Sequence, residues 1–282
     1  MEQSRQKPVV AFFFPNLDAG GAERTGMHIL RALDREKFQP SLILGEKRGF
    51  FVSQIPSDVA VRSFGISNLA RLIFYLTKYL RKEQPEICVS MFPRFTMAML
   101  FARLFIKSKT KYVIIEHTPI SHISKTAKTP LRRLFARFLL PLVMRLTYSH
   151  ADAVVCVSKG IADDLRNFAH VVKNVRVIYN PIIHPELLTL AREKIDYPWF
   201  AERSIPIIVA SGRLVKAKDF PMLLHAFARV RSSATAHLVL LGEGGERESL
   251  QNLSKELGIE EDVAFIGFQE NPYAFMGQAH VF

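Results

Sequence analysis

Four short segments place side chains able to manage an anion or a proton beside turns. Ser211-Gly212-Arg213-Leu214 follows the apolar run Ile207–Ala210, with Lys216 and Lys218 close behind and Asp219-Phe220-Pro221 opening a helix. Arg and Lys converging on a strand end and a helix N-terminus make a diphosphate clamp, the guanidinium bidentate and the ammonium a point charge. A solvated basic loop has the same composition. Asp18-Ala19-Gly20-Gly21-Ala22-Glu23-Arg24 joins another apolar run to a helix. There Gly20 and Gly21 let the backbone approach a ligand and leave helix amides free to meet an anion, although Gly-Gly also serves any tight βα turn. The G-x-G-x-x-G spacing of a dinucleotide loop is missing. Glu116-His117-Thr118-Pro119 ends a strand-like run, where a histidine can hydrogen-bond ligand hydroxyls, move a proton, or serve structure alone. Gly242-Glu243-Gly244-Gly245-Glu246 reads as a helix entry, because its two acids oppose direct phosphate contact, with proximity to a nucleotide as the second reading its glycines permit.

The elements that must carry these segments are short apolar runs alternating with amphipathic stretches, the pattern of βαβ units and a parallel sheet. Strands are expected at Pro8–Phe14, Ser41–Leu44, Val59–Phe64, Ile87–Phe92, Tyr112–Ile115, Ala153–Val157 and Val175–Ile178, with a helix over Ala22–Leu33. Runs this apolar suit strands covered on both faces by helices. Asn180-Pro181, then Pro185, Pro198 and Pro206 around Tyr197, Trp199 and Phe200, read as a linker. A second series follows: strands Ile207–Ala210, Leu238–Leu241 and Val263–Ile266, helices Phe220–Val230, Glu246–Leu257 and Pro272–Gln278, and a last strand start at Ala279–Phe282. The domains are therefore expected at 1–183 and 184–282. A doubly wound half carries about five or six strands, so the second is expected to be incomplete, in a fragment or a shortened form.

With 282 residues and 49% hydrophobic content, the chain can bury two cores. Cys88 and Cys156 lie in apolar runs and read as buried thiols in a reducing compartment. No secretory pattern opens the chain, and no run of about twenty apolar residues is free of charge. A cytoplasmic location, peripheral on the cytoplasmic face of the inner membrane, is the expectation. Of 38 Lys and Arg and 26 Asp and Glu, residues 69–150 hold 15 and three, leaving 23 of each elsewhere, so the whole net charge of +12 sits in that stretch. Leu69–Lys82 has Leu72, Ile73, Leu76, Tyr79 and Leu80 on one helical face and Arg71, Lys78 and Lys82 on the other. Thr129-Pro130 starts a second helix, running to Tyr148, with Arg132, Arg133 and Arg137 beside Leu134, Phe135 and Phe138. Basic amphipathic helices suit an anionic lipid surface or simply cover a sheet; the localised charge favours the membrane. Nucleic acid is not expected, because few interleaved exposed aromatics and no reading motif accompany the charge. No Asp-x-Asp, P-loop or zinc-ligand spacing occurs, so no cofactor and no protein-bound metal is expected.

Taken together, FFFPNLDAGGAER, VVCVSKGIADDL with VRVIYNPI, IIVASGRLVKAKDFPMLLHAFARV, and the stretch from LVLLGEGGERESL to the last residue resemble glycosyltransferase family four. The resemblance implies a GT-B fold: two Rossmann-like, doubly wound α/β domains facing a cleft, the first on the acceptor side and the second holding a nucleotide-sugar. It implies retaining transfer from a nucleotide diphosphate sugar, by family frequency a UDP-sugar, and no metal held by the protein. The acceptor expected is lipid-linked or a polysaccharide of the envelope. On this reading Gly20 and Gly21 face the donor diphosphate. His117 contacts the donor sugar, Arg213 and Lys218, beside Gly212, neutralise the leaving group, and Phe265, Ile266 and Gly267 lie near the base. The family's segment with two glutamates eight positions apart, beyond the equivalent of Phe282, is expected to be missing. The chain alone is therefore expected to be weak or inactive, the alternative being a catalytically inactive fragment that keeps membrane or acceptor binding.

Overall fold

The computed structural model describes residues 7–66, 68–122, 129, 134–183, 185–202 and 204–282. Two compact units divide at Ile182/Ile183.

In the first unit, β1 (Val9–Phe14), β2 (Gln39–Leu44), β3 (Ala60–Ser63), β4 (Ile87–Ser90), β5 (Lys111–Glu116), β6 (Ala153–Cys156) and β7 (Val175–Val177) form a seven-stranded sheet in the order β3-β2-β1-β4-β5-β6-β7. Every pairing is parallel. The six residues of β1, Val-Val-Ala-Phe-Phe-Phe, show why the strand is continuously apolar. Alternate side chains enter opposite cores: Ala11 and Phe13 one, Val10, Phe12 and Phe14 the other. α1 (Gly21–Ala32) covers the second core through Met27 and Leu30, while α2 (Leu69–Glu83), α3 (Pro93–Leu104), α4 (Leu140–Tyr148) and α5 (Lys159–Ala169) close the first. Gly26 permits the close seat of α1, since a Cβ there would stand 2.3 Å from the Phe14 ring. Asn68 caps α2, accepting from the amides of Ala70 and Arg71 at 3.0 and 3.3 Å, and Ser158 caps α5 through the Ile161 amide at 3.2 Å. The strand order reverses between β1 and β4, and open α/β sheets bind ligands outside the carboxyl ends at such a point.

The second unit holds α6 (Leu187–Ala191), α7 (Pro198–Glu202), β8 (Ile207–Ser211), α8 (Phe220–Arg231), β9 (His237–Leu241), α9 (Arg247–Glu256), β10 (Val263–Gly267) and α10 (Pro272–Gln278). Its three strands pair in parallel in the order β10-β9-β8, and Val281 adds a parallel bridge to Ile208 on the open side of β8. Leu224, Phe227, Leu238, Leu240 and Leu250 make the core under α8 and α9. The opposite face is where the structure departs from expectation. The proline-rich stretch around Tyr197, Trp199 and Phe200 is not a free linker: Ile195 and Phe200 are buried with Ile207, Val209 and Phe275. Phe200 meets Phe275 edge-on at 5.4 Å, and Trp199 stacks on His237 at 3.8 Å. Proline spacing marks where helices break, and here the breaks separate two short helices that cover a sheet face. The helix expected over Thr129–Tyr148 is described only from residue 134, as a π-helical turn (Phe135–Leu139) running into α4. Its start at Pro130, with Arg132 and Arg133, lies outside the described residues.

Truncating a fully packed ring costs about 3–5 kcal/mol, whereas a linker aromatic costs almost nothing. Phe200→Ala is therefore expected to lower the free energy of unfolding of the second unit by that amount in urea titration, and an unchanged value would restore the linker reading.

Candidate functional site

Three loops at the carboxyl ends of β8, β9 and β10 are bound backbone to backbone. The Gly212 amide donates to the Leu241 carbonyl at 2.9 Å, Leu214 to Glu243 at 2.9 Å, and Gly242 to Gly267 at 2.7 Å. Gly242 has φ +133°, and a Cβ there would lie 2.0 Å from the Gly212 carbonyl oxygen, so no other residue fits without moving the loop. Gly267, at φ +81°, closes a bulge: Phe265 pairs with Leu240 and Gly267 with Leu241, leaving Ile266 as the extra residue. Ile266 is half-buried against the Phe200 core.

Arg213 and Lys218 leave this scaffold as exposed cations, and neither side chain makes a hydrogen bond or ion pair among the described residues. Lys218 lies across the strand end, its Cδ and Cε both 3.8 Å from the position of a Cβ on Gly212. Asp219, at φ +50°, turns the chain from there into α8, whose N-terminus has no side-chain cap. Gly212, Lys218 and the start of α8 are thus brought together, with Arg213 next in chain. A cavity of about 250 Å³ beside the turn is lined by Lys216, Asp219 and Glu246 among others, but by neither Arg213 nor Lys218. Glu243 is committed to Arg247, which also donates to the Phe265 carbonyl at 2.6 Å, so its charge is neutralised beside the glycines.

In the first unit the site residues occupy one edge of the sheet. Gly20 and Gly21 form the entry to α1 after β1, and His117 follows β5, two places along the strand order. Gly20 caps α1 without a side-chain acceptor. Glu23 folds back over it, with Oε2 2.1 Å from where a Cβ would stand. A carboxylate rests at that turn.

His117 is half-buried; its Nε2 is buried without a hydrogen-bond partner among the described residues, and burial lowers its basicity. One residue earlier, Glu116 is 2% exposed and accepts a hydrogen bond from the Tyr148 hydroxyl of α4. Burial pushes its carboxyl up to about 7 against the smaller opposing effect of that bond. Asp164 of α5 accepts from the Ser121 amide at 3.1 Å, holding the chain beyond His117. Sequence reasoning assigned no role to Tyr148 or Asp164: each acts across more than thirty residues, and no local pattern marks it.

The basic stretch differs from expectation in its surface. Leu72, Leu76, Tyr79 and Leu80 of α2 are buried as the periodicity predicts, with Ile73 partly buried. Yet Phe74, Phe105 and Phe138 are 66%, 63% and 64% exposed, and Tyr75, Leu134, Leu142 and Leu146 are exposed too. The expectation of few exposed aromatics therefore fails. Counting helical faces shows what one sheet can bury and says nothing of apolar side chains left over. Of the three acids of the stretch, Glu83 pairs with Arg62 and Lys82, Glu86 is exposed and accepts from the Val9 amide at 2.6 Å, and Glu116 is buried. Among the described residues no helix is long and apolar enough to cross a membrane, and no three His, Cys, Asp or Glu side chains converge as a metal site.

Residues 19–184 match the family profile described as Glycosyltransferase Family 4, and residues 192–282 match that of Glycosyl transferases group 1. The chain belongs to glycosyltransferase family 4. Among similar proteins of this kind, an N-acetylgalactosamine-N,N'-diacetylbacillosaminyl-diphospho-undecaprenol 4-alpha-N-acetylgalactosaminyltransferase of Campylobacter jejuni is 30% identical over 97% of this chain and 73% of its own. The lipopolysaccharide core biosynthesis glycosyltransferase LpsE of Rhizobium meliloti is 27% identical over 93% and 68%. The fold matches Anabaena Alr3699/HepE, solved with UDP and glucose, at a TM-score of 0.72, 17% identity, and 96% and 72% coverage. It also matches WaaG, a glycosyltransferase involved in lipopolysaccharide biosynthesis, at 0.70, 15% identity, and 96% and 73% coverage. The chain is thus a glycosyltransferase with the α/β fold of the GT-B class.

The Glu116 carboxyl predicts a pH dependence of stability. Its folded value of about 7 lies above the ordinary 4.5, so its contribution is fully present below pH 4.5 and is lost as pH rises through 7. Two and a half pH units correspond to roughly 3 kcal/mol. Glu116→Gln, which cannot titrate, is expected to gain about that much relative to the parent between pH 4 and pH 8 in urea unfolding. Parallel stability curves would refute the burial argument.

Proposed function

We propose that this glycosyltransferase moves a sugar from a nucleoside diphosphate donor, with uridine as the base, to a lipid-linked or polysaccharide acceptor of the cell envelope. Transfer proceeds with retention at the anomeric carbon and without a metal held by the protein. The observation that carries the donor reading is the pair of unpartnered cations, Arg213 and Lys218, set on the glycine scaffold at the end of β8. A departing diphosphate gains negative charge in the transition state, and preorganised cations stabilise it most at that moment. Gly212 keeps the backbone low enough for the phosphates to come close, and Ile266 and Gly267 border the base on the same strand edge. In the first unit we assign Gly20 and Gly21 to the donor diphosphate and the unpartnered Nε2 of His117 to a hydroxyl of the donor sugar.

The acceptor class rests on the relatives, one named for a diphospho-undecaprenol-linked substrate and one for the lipopolysaccharide core. It is supported by the surface of α2, α3 and α4. Phe74, Phe105, Phe138 and Leu146 are exposed in this stretch, and so are Lys78, Arg81, Lys82 and Arg145. Apolar side chains that enter a lipid interface, ringed by cations that meet its phosphates, are the composition of a peripheral membrane surface. The proposed location is the cytoplasmic face of the inner membrane.

Isothermal titration with UDP tests the donor site. Arg213→Ala and Lys218→Ala are each expected to weaken UDP binding about tenfold or more, as loss of a charge-assisted bond does. Affinity equal to the parent's in both variants would remove the clamp. For the membrane surface, sedimentation with phosphatidylglycerol vesicles at low salt is the measurement. Binding is expected to fall steeply on raising salt, to drop in a Lys78→Glu/Arg81→Glu/Lys82→Glu variant, and to be absent with phosphatidylcholine. Salt-independent sedimentation, or none with the anionic vesicles, would refute it.

A further inference from the structure

One buried ionisable group is left unused by the donor clamp. Glu116 ends β5, with its side chain on the face of Tyr112 and Ile114, beneath the helices; the next residue is His117. A carboxyl at 2% exposure is costly unless its bonds do something for the fold or the site. The fold does not require it. The flanking strands fill the equivalent layer with Val154, Cys156 and Cys88, and an apolar residue would pack there without a desolvation cost.

The bonds instead converge on one short segment. Tyr148 donates to the Glu116 carboxyl from α4, the Val157 amide donates to the Glu116 carbonyl at 3.2 Å from the end of β6, and Asp164 of α5 holds the Ser121 amide. Residues 116–121 are thus fixed from three elements, and inside them lies His117 with a buried nitrogen that no described residue satisfies. We propose that Glu116, through its hydrogen bond with Tyr148, is a positioning residue that fixes the end of β5, so that the His117 imidazole presents its open nitrogen to the donor sugar. This rests on the reading of His117 as a substrate contact. The ionisable groups that face the carboxyl are the Tyr148 hydroxyl from α4 and the Cys156 thiol from β6; among the described residues no cation pairs with it. With its burial this accounts for a titration near 7, a range in which the hydrogen bond passes from neutral to charge-assisted and tightens.

The test compares pH profiles of sugar transfer for the parent, Glu116→Gln, Tyr148→Phe and His117→Ala, and for Glu116→Gln combined with His117→Ala. The parent kcat is expected to rise through a step near pH 7. Glu116→Gln is expected to lack the step and to turn over about tenfold slower at pH 8 with donor KM nearly unchanged, the signature of lost orientation without lost affinity. Tyr148→Phe, which keeps the ring, is expected to move the step to higher pH, because the lost bond had favoured the ionised form. In the His117→Ala background, Glu116→Gln is expected to add no further loss. Retention of the parental step in both Glu116→Gln and Tyr148→Phe, or a full Glu116→Gln loss without His117, overturns the proposal. His117→Ala at the parental rate instead overturns the reading of His117 itself, which keeps the two failures distinct.

Discussion

Every strand pairing in both sheets is parallel, and most of the molecule follows from that. A parallel strand cannot return by a tight hairpin, so each connection must cross a face of the sheet, usually as a helix. Both faces are then covered, which explains why β1 and β9 are apolar almost from end to end. The same rule sends every strand out of the sheet at one edge. Gly20, Gly21 and His117 in the first unit, and Gly212, Gly242 and Gly267 in the second, lie on those edges because the pairing leaves them nowhere else.

Within that constraint, some of the fold could be read from residue types alone. The apolar runs mark each strand to within two residues, because burial on both faces leaves a signal that needs no partner. Arg213 and Lys218 were legible for a similar reason: cations crowded at a strand end are visible without knowing what faces them. What the runs conceal is pairing at a distance. Phe200 reads as a linker aromatic until Phe275 is placed against it, and Glu116 as an ordinary polar strand end until Tyr148 arrives from α4. Gly242 announces a turn, but only the Gly212 carbonyl at its back shows that it holds two loops together. The exposed rings of α2 and the π-helical turn escaped for another reason. Helical periodicity ranks residues around an axis, and a wide apolar arc exceeds what one sheet can cover.

Charge is arranged differently in the two units. Around α2 to α4 it acts as a surface property, since the few acids there are buried, paired or capped by backbone. At the β8 edge it acts at a point, with Glu243 quenched by Arg247 while Arg213 and Lys218 stay open. On the proposed reading, a broad field suits an anionic lipid surface and a local pair suits one anionic group, two tasks that call for these two geometries.

The stack of Trp199 on His237 gives the molecule a spectroscopic asymmetry. Trp199 is the sole tryptophan of the sequence, and it lies flat on an imidazole at 3.8 Å inside the second unit. Indole emission therefore reports the state of that unit alone, while the seven tyrosines, five of them in the first unit, absorb for the whole chain. The two units carry, in effect, separate optical labels that required no engineering.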